Sequence, residues 1–219
     1  MEPILRTVGT ADWMTIILVA SLVFLVLAKR LFYARFMNFI ILPFNNKYIF
    51  MYNKKEKLVS WFHIFFTIFQ TLNFALFVYL VRKVLIAPST DEYPFMYPII
   101  LGCIVGFLVV KMVLQLSNGF IFGSNRTIGE LIFKKLSYLN YSGLVMFIAN
   151  LLMVYVVKNS IVIVYASILI ILLINIIGWA TVLRNHQKFI TNYFFYFILY
   201  LCALEIAPYF ILYKLITVY

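Results

Sequence analysis

Two ionisable side chains interrupt stretches that are otherwise apolar. Glu205 lies well inside residues 192–219, NYFFYFILYLCALEIAPYFILYKLITVY, and Lys111 follows an unbroken apolar run from Ile99. In a bilayer each charge costs at least about 2.5 kcal/mol unless it finds a partner or water. Pro208, three residues after Glu205, lacks a backbone donor and frees the carbonyl of Leu204 from its helical bond. A carboxylate beside a broken turn is the chemistry of an intramembrane ion or proton site. It is equally the chemistry of a charge walled off by neighbouring helices. Rises of about 1.5 Å per residue place Lys111 roughly 20 Å and Glu205 roughly 13 Å from a common membrane face. A lysine side chain bridges that difference if the two helices are neighbours, so a Lys111–Glu205 pair is one expectation. The other is that Lys111 snorkels to headgroups about two turns away.

Uncharged polar residues recur at helical spacing. His63, Thr67 and Gln70 share one stripe, with Asn73 at its edge, and Asn150 and Asn175 fall near the middles of two further apolar stretches. Each amide is most simply interhelical glue worth about 1 kcal/mol, and His63 a hydrogen-bonded interface residue. Gly102 and Gly106 form a GxxxG that permits close helix packing. Together these residues suit a transport pathway or a well-knit bundle.

Motifs for covalent or metal chemistry are missing. There is no HExxH, GxSxG, phosphate loop or Cys/His metal set. Cys103 and Cys202 lie inside apolar stretches and read as small packing residues. The chain is therefore expected to be a non-enzyme without cofactor or metal.

The elements that must position these residues follow from composition. Hydrophobic residues make up 65%, charged residues 11%, and mean hydropathy is +1.03, far from the balance of a soluble domain. The fold class is all-α: a polytopic transmembrane helix bundle of about six spans, at 13–28, 58–81, 99–116, 140–157, 161–183 and 192–215. Residues 31–57 are apolar only in short bursts. They read as an interfacial helical segment with aromatics down and basic residues up, or as a hairpin dipping into the membrane. Residues 118–138 read as a loop holding another surface helix. The start, MEPILRTVGTAD, carries no basic leader, so the first apolar run is expected to remain as a span. The net charge of +11 does not imply nucleic acid, because the basic residues sit in short segments beside spans. Twelve of them fall on the side of residues 29–57 and five on the other, which puts that segment in the cytoplasm and both termini outside.

The segments ALEIAPYFILYKL, FGSNRTIGELIF and KRLFYARF carry a resemblance over nearly the whole chain. They resemble a bacterial family of short polytopic inner-membrane proteins, a domain of unknown function found mainly in the Bacteroidota. The resemblance implies a cytoplasmic-membrane location and no particular activity.

Three functions remain in view. The first is a non-catalytic subunit or accessory factor of a larger inner-membrane assembly, for envelope biogenesis or protein export, with membrane-protein partners in a hetero-complex. The second is a small proton-linked or anion transporter or channel with its site at Glu205 and Pro208. The third, a lipid-modifying enzyme, lacks a catalytic set. The lipid bilayer is a partner in all three.

Overall fold

A computed structural model describes residues 11–45, 47–52, 60–85, 95–121, 125–157 and 160–185. These form seven α-helices: α1 (Ala11–Leu31), α2 (Tyr33–Ile40), α3 (Lys47–Tyr52), α4 (Trp61–Leu85), α5 (Met96–Ile121), α6 (Asn125–Leu151) and α7 (Ile161–Asn185). Among the described residues, five stretches are long and apolar enough to cross a membrane: Asp12–Leu31, Trp61–Leu85, Met96–Ser117, Gly129–Val156 and Ile161–Thr181. The chain is thus a multi-pass membrane protein by its helices. A sixth span at 192–215, with Glu205 and Pro208, lies outside the described residues.

The α4 helix is the hub, packing on α1, α5 and α6 and touching α7. Half of its span is buried, against 11% for the α5 span, so α5 is the peripheral helix. Without water there is little hydrophobic drive between spans, and close backbone approach and polar contacts carry the packing instead. Two glycines supply the approach. A Cβ on Gly143 of α6 would lie 2.9 Å from the Cβ of Gln70 and 3.0 Å from its Cα. One on Gly178 of α7 would lie 2.7 Å from the Tyr138 ring of α6. Gly102 and Gly106 do the opposite: both are exposed on α5, with open space where a Cβ would stand. The GxxxG therefore packs no described helix of this chain, because α5 turns its other face, with Ile104, to the core.

The fourth span is longer than hydropathy suggests. The α6 helix starts at Asn125, so residues 125–138 are its opening turns and not a separate surface helix. Lys134 and Lys135 end an apolar run, but lysine is a good helix former and does not end a helix. At its other end α6 passes into a π-turn, Leu152–Val156, closed by Val157 N–H donating to the Leu152 carbonyl at 2.8 Å. Tyr155 within it donates to Thr15 Oγ1 of α1 at 2.7 Å.

The segment after α1 is folded into the bundle. The chain bends at Phe32, whose φ of −132° and ψ of 51° leave the helical region. Inward-facing Phe36, Phe39, Leu42, Tyr48 and Ile49 are buried. Phe39 meets Phe66 at 4.6 Å, Phe62 at 5.7 Å and Tyr141 at 5.8 Å between ring centroids. Tyr33, Met37, Ile40, Ile41 and Phe44 stay exposed and give the segment an apolar outer face. Arg35 is not among the upward-facing basic residues of the interfacial reading. It is buried, because aromatic faces of α3 and α4 receive its guanidinium.

Adding a methyl group at the two close crossings should be costly. Gly143→Ala and Gly178→Ala should each destabilise the protein by about 1–3 kcal/mol in lipid bicelles. Gly102→Ala and Gly106→Ala should leave stability unchanged or slightly raised. Reversible thermal unfolding of the four variants checks the contrast.

Candidate functional site

The polar residues of the described chain gather in a seam between α4 and α6, with a branch to α7. The two helices run parallel, since Thr67–Asn140 and Gln70–Gly143 meet at the same sequence offset. Near one end, Thr67 Oγ1 and the Asn140 amide lie 3.4 Å apart. One turn on, Gln70 is fully buried against Gly143, and neither end of its amide has a hydrogen-bond partner. Near the middle of α4, Asn150 Nδ2 donates to the Asn73 carbonyl at 2.9 Å. Asn73 Nδ2 donates to the Phe69 carbonyl at 2.8 Å, while Oδ1 of both Asn73 and Asn150 is buried and unpaired. The branch is Asn175, whose Nδ2 donates to Ser142 Oγ at 3.0 Å and to the Ile171 carbonyl at 2.8 Å.

A second constellation closes the His63 end of the seam. Tyr48 Oη accepts from Arg35 Nε at 3.3 Å and lies 3.5 Å from His63 Nε2, a hydrogen bond whose direction follows the histidine tautomer. The Arg35 guanidinium lies 4.8 Å from the Phe62 ring centroid, 4.9 Å from Tyr52 and 5.9 Å from Tyr48. Tyr48 stacks on Phe133 at 6.1 Å with 12° between planes, and the edge of His63 meets the same Phe133 at 4.7 Å. An arginine is well suited to this cage. Its guanidinium is planar and weakly hydrated, so it stacks on rings where an ammonium ion would need water.

A third feature joins α5, α6 and α7. Lys111 on α5 and Lys135 on α6 lie close enough to interact electrostatically. The Lys135 ammonium lies 4.9 Å over the Trp179 ring and the Lys111 ammonium 5.6 Å over Phe107. Gln115, one turn from Lys111, is buried with Nε2 unpaired. Lys111 is half-buried. Its pairing with Glu205 falls outside the described residues, as does the transport site at Glu205 and Pro208.

Gln70 and Asn150 thus share one seam with Asn73, Asn175 reaches it through Ser142, and His63 lies in the aromatic closure. Gly102 and Gly106 stand apart on the outer face of α5. Sequence reasoning overlooks Arg35, Tyr48, Asn140, Ser142, Gly143 and Lys135. Asn140, Gly143 and Asn150 are spaced by three and seven residues, the mark of one helical face, and that stripe was there to find. No such periodicity marks Arg35 or Tyr48, which meet through tertiary folding of a short segment. Among the described residues no three of His, Cys, Asp and Glu gather to hold a metal ion.

These features define a membrane-embedded helix bundle knit by buried amides, with the Arg35 guanidinium held among aromatic rings at one end. The chain belongs to the family described as a domain of unknown function, DUF4271, whose model matches residues 14–216. No curated protein and no solved structure matches it.

Replacing Arg35 with lysine keeps the charge and loses the stacking. Arg35→Lys should destabilise the protein by about 1–2 kcal/mol in bicelles, and Tyr48→Phe, which removes the hydroxyl between Arg35 and His63, by a similar amount. Thermal unfolding of both variants is the check.

Proposed function

We propose that this chain is a non-catalytic subunit or accessory factor of a larger assembly in a bacterial cytoplasmic membrane, such as one for envelope biogenesis or protein export. In this reading both termini lie outside the cytoplasm, and the end carrying the α5–α6 turn and Arg35 faces it, following the bias of basic residues. The observation that carries the proposal is the outer face of α5. At about 100° per residue, Gly102, Gly106, Val109 and Val113 fall within an arc of about 60°, and all four are exposed. This is a smooth strip with glycines at one helical turn, the shape that lets a second helix approach backbone to backbone. Elsewhere in the bundle, at Gly143, glycine is already used for such an approach to the Gln70 backbone. A strip of this kind that no described helix covers, on the most exposed span, suits a helix from another membrane protein.

A photo-crosslinking residue at position 109 tests this in native membranes. It should give one discrete adduct with another membrane protein, at near-stoichiometric yield. Gly102→Leu or Gly106→Leu should abolish the adduct without lowering the amount of protein in the membrane. Adducts to lipid or within the chain only, or an adduct indifferent to both glycines, would overturn the reading.

A further inference from the structure

The orphaned amides of the α4–α6 seam imply a ligand of their own. Gln70, Asn73 and Asn150 are exposed by no more than 1%, and they lie in the inner part of the bundle. Four of their polar atoms lack partners: Gln70 Oε1, Gln70 Nε2, Asn73 Oδ1 and Asn150 Oδ1. They are neighbours. Gln70 and Asn73 are three residues apart on one face of α4, and Asn150 is tied to the Asn73 carbonyl at 2.9 Å. A buried amide without partners is costly, and more so where no lipid group can supply a hydrogen bond. The orphans also state what the partner must be. A metal cation would serve the three oxygens but be repelled by the Gln70 NH2 group. An anion would serve that NH2 group and be repelled by the oxygens. Only a group that both donates and accepts satisfies the set, and the smallest is water.

We infer that the seam binds a short file of about two to three water molecules, each making about three hydrogen bonds, linking Gln70 to Asn73 and Asn150. The file is closed off from the membrane by apolar neighbours. Phe66 and Phe69 precede Gln70 on α4, Leu76 follows Asn73, and Met146 and Met153 lie one turn before and after Asn150 on α6; all five are buried. It gives the middle of the bundle a hydrated core that the apolar content of α4 and α6 alone would not provide. It also explains how α4 and α6 carry amides at this depth without pairing them to each other. This inference is independent of the partner proposed for α5.

Water-edited NMR of the protein in lipid nanodiscs, with 15N in Asn and Gln side chains, tests it. Magnetisation should pass from water to the Gln70 and Asn150 amide protons about as fast as to exposed amides. Gln70→Leu should remove the first signal and slow transfer to Asn150 at least twofold. The wild-type measurement stands even if that variant does not fold. No transfer to either amide in the wild type would mean a dry seam and overturn the inference. So would transfer to Asn150 that is indifferent to Gln70→Leu, since the waters would then not form one file. Amide shifts that move when sodium is replaced by a bulky organic cation would mean a bound ion instead.

Discussion

The bundle depends on the absence of a side chain at Gly143. That absence lets the α4 backbone at Gln70 come within van der Waals distance of α6. In a membrane, lipid competes equally for every apolar surface, so two spans stay together only through contacts that lipid cannot make. Backbone approach is one and buried polar pairing is the other. The α4–α6 contact has both in one place. Thr67 and Asn140 lie one turn to one side of the Gln70–Gly143 contact; to the other side lie Asn73, one turn on along α4, and Asn150, two turns on along α6. From this axis α7 is held through Gly178 on Tyr138 and through Asn175 on Ser142. The α1 helix is held by its packing on α4 and by Thr15 on the π-turn of α6.

The segment after α1 extends the same logic to the bundle's end. A short chain rich in Phe and Tyr is too interrupted to span and too apolar to leave the membrane. It folds back so that one face packs on α4 and α6 while the other remains open to lipid. Burying Arg35 within it is tolerable because three aromatic rings and the Tyr48 hydroxyl receive the cation. That arrangement also fixes His63 at the mouth of the seam. Polar side chains therefore recur from the aromatic cap through Thr67, Asn140 and Gln70 to Asn73 and Asn150 at the middle of the bundle.

Much of this is legible in the sequence, and what is not has physical reasons. The membrane class and the stretches that become α1, α4, α5 and α7 follow from apolar runs long enough to span. The opening of α6 does not, because Lys134 and Lys135 lower hydropathy without opposing helix formation. The stripe His63, Thr67, Gln70 and Asn73 is legible from spacing alone, whereas its partners on α6 need the parallel register that only tertiary structure sets. Gly102 and Gly106 show the limit of a motif. GxxxG states that a helix can be approached closely, but not by which neighbour, and the described bundle leaves that face open. Arg35 shows the limit of the rule that charges stay at the surface. A guanidinium is at home among rings, and no local pattern announces where those rings will gather. Glu205 and Pro208 are conspicuous in sequence and lie outside the described residues.

The central claim is that α4 and α6 touch at Gln70 and Gly143 in parallel register. A direct test is a cysteine pair at those two positions, in a chain whose Cys103 and Cys202 are replaced by serine. The Cβ separation of 2.9 Å is a little shorter than the roughly 3.5–4.5 Å of a disulfide, a gap that a small shift opens. Mild oxidation in the membrane should join the pair within one chain, read as retained mobility after proteolytic cleavage at a site engineered between α4 and α5. A control pairing Gln70→Cys with Ile148→Cys, on the exposed face of α6, should stay reduced. A Gln70–Gly143 pair that stays reduced, or a control that oxidises as readily, would contradict the account.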